Sequence, residues 1–253
     1  MIRLQPTLPA GYRLICYDAV GSTNDEAKCL AREGAADGTV VWALEQTAGR
    51  GRRGRTWVSP RGNLYASLIL RPDCPAHQAA QLGFVAALAI CDALGAMLPQ
   101  LGGLAYKWPN DVLVNGRKIS GILLESEMTA LDKLTFLIVG VGINLTASPQ
   151  GTAFPATSVA AECNGEVVPA AMLEKFSDHF ESWKKRWQTE SFAPVRAAWL
   201  EAATFRGEPI CVHLEAATLH GRFLDLDEQG ALLLEADGEH RRISAGEIFP
   251  ANR

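Results

Sequence analysis

The stretch Lys107-Trp-Pro-Asn-Asp-Val-Leu-Val-Asn-Gly-Arg-Lys-Ile-Ser-Gly-Ile-Leu-Leu-Glu125 predicts a β-hairpin. Two apolar runs, residues 112–114 and 119–124, flank the dipeptide Asn115-Gly116. That dipeptide is a strong hairpin signal because a type I′ turn requires positive φ at both central residues. Charged side chains bracket the apolar ribbon at Lys107, Asp111 and Lys118. On this stretch alone, an ordinary surface hairpin and a functional one both stay open.

A basic stretch upstream, residues 46–57, interleaves four arginines with three glycines: Arg50, Arg52, Arg53 and Arg55 with Gly49, Gly51 and Gly54. The glycines match the G-x-G-x-x-G pattern of dinucleotide-binding proteins. That motif opens a helix, whereas a turn and an alternating strand at 64–70 follow here, so we reject it. Because the arginines repel one another, the loop is predicted to be mobile until an anion binds. The net charge of −4 favours a small phosphorylated ligand over nucleic acid.

The composition fits a globular chain with one large domain, alone or followed by a small one. The 253 residues are 48% hydrophobic and 21% charged, which is enough apolar sequence for a sizeable core. Six cysteines without a C-x-x-C pair, and no secretory signal, predict reduced thiols in a cytoplasmic protein. Five histidines without ligand spacing predict no metal site. The apolar window 79–98 contains Asp92 and predicts a buried helix, not a membrane span.

Residues 12–201 alternate strands and helices in an α+β pattern. Strands are predicted at 12–17, 39–45, 64–70, 104–107 and 134–141, and the last, apolar except for Thr135, is expected to be central. Helices are predicted from a Thr23–Glu26 capping box to residue 33, and at 76–98, 173–187 and 192–199. Gly140 and Gly142 indicate close approach of a ligand or another backbone. The amide of Asn144, just beyond them, suits a base edge.

The composition changes near Ala203. Residues 209–249 contain short strands divided by turn residues, which predicts a small β-barrel. We therefore predict a catalytic domain at 1–203 and a C-terminal domain at 204–253.

The charged residues suit chemistry on an anion better than nucleophilic catalysis. The chain offers no Ser-His-Asp order, no Cys-His pairing and no isolated pair of carboxylates. Cations held where negative charge develops are the usual catalytic device in phosphorus chemistry. A carboxylate that attacks an α-phosphate must overcome repulsion between anions, which Arg and Lys groups lower. Asp111 could help to hold Mg²⁺ or steer an incoming amine.

Five motifs, in order, resemble the biotin protein ligase family: residues 21–24, 46–57, 107–111, 117–125 and 140–144. The resemblance spans most of 12–145 and is highly specific. It implies a class II synthetase-like α+β fold, with a mixed, mostly antiparallel sheet, flanking helices and a C-terminal SH3-like β-barrel. It also implies that biotin and ATP, with Mg²⁺, give biotinyl-5′-AMP. The biotinyl group then passes to a lysine of a carboxylase carrier domain, such as the biotin carboxyl carrier protein of acetyl-CoA carboxylase.

The resemblance implies roles for individual residues. Biotin would be bound by Ser22, Thr23, Asn24, Gln46, Arg50, Gly51, Arg52, Lys118 and Gly121. ATP and the adenylate would be bound by Arg50, Arg52, Arg53, Trp57, Lys118 and Asn144, with Trp57 stacking on adenine. The catalytic groups would be Lys118, Asp111, Lys107 and Arg52. The apolar segments 68–70 and 121–124 would wall the biotin side chain and thiophane ring.

Other functions stay open at this point. A lipoate–protein ligase-like acyl-adenylate ligase shares the fold and chemistry, although the arginine loop and Lys107 to Asp111 favour biotin. A nucleic-acid binder would use the basic loop, and its affinity would fall steeply with salt. A catalytically dead biotin-binding regulator is disfavoured by Lys118. Because the motifs begin at Gly21, we expect no DNA-binding domain and no repressor role. A homodimer through an exposed sheet edge fits the family.

Overall fold

The computed structural model describes residues 5–131, 133–163, 165 and 167–251. Its larger sheet has seven strands in the order β1-β2-β3-β7-β6-β5-β4. Only β1 and β2 are parallel, and the other neighbours are antiparallel, as predicted for a mixed, mostly antiparallel sheet. The strands are β1 (Arg13–Tyr17), β2 (Thr39–Ala43), β3 (Leu64–Leu70), β4 (Leu104–Lys107), β5 (Asp111–Val114), β6 (Arg117–Met128) and β7 (Leu134–Ile143).

The predicted hairpin is formed by β5 and β6. Asn115 and Gly116 have φ values of 48° and 72°, as a type I′ turn requires. A register shift after Val112 then places Lys118 opposite Leu113, while Gly121 lies opposite Asp111. This irregularity brings the middle of β6 close to the start of β5 and so positions the charged residues of both strands.

Strand β7 is central, as its apolar sequence predicts, and its two faces meet different partners. Alternate residues from Leu137 to Ile143 belong to the main core, whereas Phe136 and Ile138 form a small cluster with the first helix. Gly140 and Gly142 continue the second face. The groups that approach them are side chains of the protein, not another backbone. A Cβ at Gly140 would lie 2.1 Å from Asn24 Oδ1, and one at Gly142 would lie 2.5 Å from Trp57 Nε1.

The described part of the chain contains six α-helices: α1 (Thr23–Arg32), α2 (Ala76–Ala79), α3 (Leu82–Met97), α4 (Val159–Glu162), α5 (Pro169–Glu190) and α6 (Ala193–Glu201). The helix predicted at 76–98 is present, but a tight turn divides it into α2 and α3. There the N–H groups of Gln81, Gly83 and Phe84 bond carbonyls three residues back. By length and composition Ala76–Met97 could cross a membrane, but most of it is buried inside the fold. It packs against α5 and the sheet as the predicted core helix.

The C-terminal part is a five-stranded antiparallel sheet in the order β11-β10-β9-β8-β12, as expected for a small all-β unit. Its strands are β8 (Pro209–His213), β9 (Thr218–Leu226), β10 (Leu232–Ala236), β11 (Glu239–Ile243) and β12 (Glu247–Pro250). Trp108 Nε1 donates to the carbonyl of Gly230 at 3.1 Å, and buried residues of both sheets share one core. The domain boundary after residue 203 stays a prediction.

Candidate functional site

One cavity of about 360 Å³ lies between the arginine loop, strands β6 and β7, the segment 149–156 and the end of the C-terminal sheet. Nearly all the residues that sequence analysis singled out line it: Ser22, Thr23, Asn24, Gln46, Arg50, Gly51, Arg52, Trp57, Lys107, Asp111, Lys118, Gly121 and Asn144. Arg53 is the exception, because it is exposed and donates to the carbonyl of His213 at 3.2 Å. The cavity has the size typical of a small-ligand site.

A buried carboxylate between two lysines forms the charged centre of the cavity. Asp111 Oδ1 lies 2.5 Å from Lys118 Nζ, and Asp111 Oδ2 lies 3.0 Å from Lys107 Nζ. Burial opposes ionisation of Asp111, but attraction to Lys118 and Lys107 outweighs it and holds the pKa of this carboxyl below its usual value. Asp111 and Lys107 are buried, whereas the side chain of Lys118 is 24% exposed. Lys118 is therefore the cation of this cluster that a ligand can reach.

Aromatic rings lie close to the ammonium groups of both lysines. Lys107 Nζ lies 4.8 Å from the ring centroid of Phe154 and 5.5 Å from that of Phe249. Lys118 Nζ lies 5.4 Å from the ring centroid of Trp57. A cation at these distances is attracted by the negative face of the ring. The rings therefore hold the two ammonium groups in place without neutralising them.

Each arginine of the loop has a partner in the structure, which compensates the repulsion expected from the sequence. Arg50 pairs with two carboxylates: its Nη2 atom lies 2.5 Å from Asp25 Oδ1 and 2.9 Å from Glu125 Oε2. Arg55 pairs with the carboxylate of Glu247. Arg52, facing the cavity, donates to Asn110 Oδ1 at 3.3 Å and to the carbonyl of Gly246 at 3.1 Å. Ordering of the loop by a ligand stays a prediction.

The start of α1 forms one end of the cavity through hydrogen bonds to Gln46. The N–H of Thr23 donates to Gln46 Oε1 at 2.8 Å, and its hydroxyl oxygen lies 3.1 Å from the same atom. Ser22 is the N-cap residue, and no side chain closes a cap there. The predicted capping box is therefore wrong: the Gln46 amide takes the place of the cap, and Glu26 accepts from the Tyr17 hydroxyl at 2.7 Å instead.

The amide of Asn24 is held on both sides by the protein. Its Oδ1 lies 2.6 Å from the hydroxyl of Ser67, which donates to it. Its Nδ2 donates to Glu125 Oε2 at 2.8 Å and to the carbonyl of Leu123 at 3.3 Å. Because Gly140 leaves the space that Asn24 fills, this position on the cavity wall is fixed by packing as well.

Trp57 and Asn144 present polar groups without partners among the described residues. Trp57 lies over Gly121 and Gly142, where a Cβ would be only 3.1 Å and 2.5 Å from the indole. The buried indole Nε1 has no hydrogen-bond partner in the described part of the chain, and the same holds for the buried Asn144 Oδ1. Asn144 Nδ2 donates to the carbonyl of Thr157 at 3.0 Å. The amide is thus oriented with its acceptor available for a donor on a ligand.

Sequence analysis missed one wall of the cavity. Segment 149–156 covers the hairpin, where the N–H of Lys118 donates to the carbonyl of Pro155 at 2.7 Å. The segment lines the cavity with Pro149, Gln150, Thr152, Ala153, Phe154 and Ala156. Other parts of the chain add Asn110, Glu247 and Phe249. The only sequence signal was a set of turn residues, Pro149, Gly151 and Pro155, which predicts a loop but not its location.

Comparison with known proteins identifies the family. Residues 19–144 match the model of the biotin/lipoate A/B protein ligase family, and residues 206–249 match that of the biotin protein ligase C-terminal domain. A biotin–[acetyl-CoA-carboxylase] ligase of Paracoccus denitrificans is 45% identical over 90% of this chain and 96% of its own length. The bifunctional ligase/repressor BirA of Bacillus subtilis is 34% identical over 94% of this chain and 74% of its own length.

Solved structures agree with these relatives. A biotin protein ligase from Aquifex aeolicus, in complex with biotin and ATP, superimposes with a TM-score of 0.80 at 29% identity. The superposition covers 94% of this chain and 97% of that one. The family models match the regions of both sheets, and the alignment with the Paracoccus ligase covers nearly its whole length. The chain therefore belongs to the biotin/lipoate A/B protein ligase family.

Proposed function

We propose that this protein is a biotin–protein ligase, which activates biotin with ATP to biotinyl-5′-AMP and transfers the biotinyl group to a carrier lysine. The observation that carries the proposal is the convergence of an arginine loop, two lysines and a buried carboxylate on one cavity. The 45% identity to a biotin–[acetyl-CoA-carboxylase] ligase supports biotin as the acyl group, and so does the match to a biotin protein ligase C-terminal domain.

In the first step, an oxygen of the biotin carboxylate attacks the α-phosphorus of ATP, and pyrophosphate leaves. Both reactants are anions, so the proposed task of the site is to hold positive charge where negative charge develops. Lys118 is the reachable cation and contacts the carboxylate and the α-phosphate. Arg50 and Arg52 close over the same groups, and Lys107 keeps the Asp111 carboxylate in place. Arg53, directed to His213, is the weakest of the proposed adenylate contacts.

Recognition of the two substrates falls to the two ends of the cavity. Ser22, Thr23, Asn24 and Gln46 surround the polar ureido head, with Gly51 and Gly121 close to the rest of biotin. Because the amide of Asn24 is held by the protein, its part in this recognition is to shape the wall. At the other end, Trp57 stacks on adenine, and the Asn144 Oδ1 acceptor receives the exocyclic amino group.

Magnesium enters with ATP as part of the substrate. Among the described residues no group of three His, Cys, Asp or Glu side chains is arranged to hold a metal ion. Both oxygens of Asp111 already face lysines. These residues do not fit a resident metal site, so we assign Asp111 to positioning Lys118 and, in the second step, to steering the incoming amine.

In the second step, the ε-amine of the acceptor lysine attacks the acyl carbon of biotinyl-5′-AMP, forms an amide, loses a proton and releases AMP. The acceptor we propose is the biotin carboxyl carrier protein of acetyl-CoA carboxylase, and no nucleic acid is needed. We place the enzyme in the cytoplasm, because all six cysteines are free thiols. Among the described residues β1 is an edge strand of the larger sheet, and we propose a homodimer through a sheet edge. We also propose a division into units 1–203 and 204–253.

The test is a calorimetric titration of biotin into the protein, followed by addition of Mg-ATP and measurement of released pyrophosphate. We expect biotin binding and biotin-dependent pyrophosphate release. Binding of lipoate in place of biotin would keep the chemistry and replace the substrate. If neither acid bound, the proposal would be wrong, and the arginine loop should be tested against nucleic acid.

A further inference from the structure

Glu125 on β6 is the meeting point of three donors from different parts of the chain. Its carboxylate accepts from Asn24 Nδ2 at 2.8 Å, from Lys28 Nζ at 2.8 Å and from Arg50 Nη2 at 2.9 Å. Burial opposes ionisation of Glu125, but the hydrogen bonds from Lys28, Asn24 and Arg50 outweigh it and keep the pKa of this carboxyl below its usual value. Glu125 does not line the cavity, so its contacts serve other residues.

These bonds complete a continuous chain from the polar end of the cavity to the arginine loop. The Thr23 N–H donates to Gln46 Oε1 at 2.8 Å, so the Thr23 hydroxyl is available to Ser67 Oγ at 2.8 Å, and the Ser67 hydroxyl donates to Asn24 Oδ1 at 2.6 Å. The links continue from Asn24 through Glu125 to Arg50. Every atom in this chain is held by a protein group, so a displacement at one end is passed to its neighbours.

We propose that Glu125 is a positioning residue that joins the biotin-binding wall to the arginine loop: it orients the amide of Asn24 and anchors the loop through Arg50. This inference rests on the proposed function, since it assigns biotin to that wall. Glu125 touches no substrate and acts only through Asn24 and Arg50. It therefore sets how well the loop is ordered over the cavity before biotin binds.

Charge is the property that the anchor requires. The local cluster contains two cations, Lys28 and Arg50, and two anions, Asp25 and Glu125. Replacing Glu125 with Gln preserves its shape and still offers an oxygen to Asn24. The substitution leaves one exposed carboxylate, that of Asp25, to balance Lys28 and Arg50. The amide hydrogens of the new glutamine would face the hydrogens of these donors. The substitution thus weakens the hold on Arg50 and leaves the fold of β6 in place.

Trypsin reports on the anchor directly, because the loop contains four cleavage sites at Arg50, Arg52, Arg53 and Arg55. Without any ligand, we expect Glu125→Gln to be cut in the loop about tenfold faster than the wild type, the loss typical of a hydrogen bond to a charged group. The matched control is Glu127→Gln. It removes a carboxylate two residues further along β6, which pairs with Arg32 of α1, the helix that also carries Asn24 and Lys28. It should be cut in the loop at the wild-type rate.

Kinetics separate positioning from a general loss of structure. In biotin-dependent pyrophosphate release, Glu125→Gln should raise KM for biotin about tenfold and change kcat by about twofold or less. Glu127→Gln should change neither. The double variant Glu125→Gln with Arg50→Gln should be no worse than Arg50→Gln alone, because that variant has already lost the contact that Glu125→Gln weakens.

The proposal would be overturned if trypsin cut the loop of Glu125→Gln at the wild-type rate. It would also be overturned if Glu125→Gln and Glu127→Gln raised the cleavage rate equally. Should Glu125→Gln fail to fold, Glu125→Asp decides instead: it keeps the negative charge but shortens the reach to Arg50, so the loop should again be cut faster than in the wild type. If the wild type released no pyrophosphate, the proposed function would fail, while cleavage without ligand would still decide whether Glu125 anchors the loop.

Discussion

The Lys107–Asp111–Lys118 cluster and the arginine loop bring positive charge to the same cavity by different means. The cluster lies on β4, β5 and β6, and its carboxylate is buried between lysines that are close in sequence. The loop is largely exposed, and its partners come from α1, β6 and the C-terminal sheet. A buried cluster on rigid strands is set before any substrate arrives, whereas exposed pairs can exchange partners. The two regions should therefore respond differently to substitution, acid and salt.

Removal of the buried carboxylate tests the rigid half of this comparison and should have the largest effect. In Asp111→Ala, two lysines of the cluster lose their counter-ion, and breaking a buried pair in this way costs about 3–5 kcal/mol. For a chain of this size, that corresponds to a drop of about 10 °C in Tm, measured by scanning calorimetry. An unchanged Tm would mean that the cluster is hydrated and not preorganised.

Acid provides a second measurement on the same pair of proteins. The pKa of Asp111 is lower in the folded state than its ordinary value, so its contribution to stability is fully present above that ordinary value. The contribution is lost as pH falls through the lowered folded pKa. The difference in Tm between wild type and Asp111→Ala should therefore be largest near neutral pH and shrink below about pH 4. A difference that grows in acid would contradict the assignment.

Lys118→Ala separates chemistry from stability within the cluster. The variant keeps the Asp111–Lys107 pair, so its fold should remain, as measured by circular dichroism. Loss of a cation aimed at developing charge should lower biotin-dependent pyrophosphate release about 10²–10³-fold. Near-normal release would remove Lys118 from the proposed catalytic groups and shift that role to the loop.

Arg52→Gly tests whether the loop holds an intermediate and not the fold. Arg52 contacts Asn110 and Gly246 in the structure, and both contacts are modest neutral acceptors. We expect biotinyl-5′-AMP to escape about tenfold faster into solution, because a hydrogen-bonded cation at its phosphate is lost. The measurement is biotin transfer to bystander lysines of an added protein, with Arg61→Gly, an exposed arginine outside the loop, as the control. A fall in Tm comparable with that of Asp111→Ala would make the loop structural instead.

Local signals predicted much of this fold. Asn115-Gly116 determines the hairpin because few residues accept positive φ, and the apolar run from Phe136 to Ile143 made β7 central. The turn between α2 and α3 could not be read from the sequence. Its Gln81 side chain accepts from Trp187 Nε1 and donates to the carbonyl of Glu228, and these partners lie more than a hundred residues away.

The same limit explains what was missed at the site. The motifs supplied most of the cavity residues, but the partners of the arginines depend on long-range packing. Arg50 and Glu125 are 75 residues apart, and Arg55 and Glu247 are 192 apart. The residues Thr23 and Glu26 fit a capping box in sequence. The box does not form because Gln46, which lies just after β2, accepts from the Thr23 N–H that Glu26 would have bound. The sequence predicted repulsion among the loop arginines and mobility until an anion binds, but it did not predict the protein carboxylates that pair with Arg50 and Arg55.

Arg55→Ala tests the exposed half of the comparison and should have the smallest effect. Its side chain is 55% exposed and pairs with Glu247 of the C-terminal sheet, which retains Lys107 as a nearby positive charge. A pair of this kind contributes about 0–1 kcal/mol, which corresponds to a few degrees of Tm, and about 0.5 M salt should abolish the difference. Arg61→Ala, which removes an exposed pair with Glu45 outside the loop, is the control and should behave in the same way. A salt-resistant loss in Arg55→Ala alone would show that the loop is bound to the C-terminal sheet as firmly as the lysines are bound to Asp111.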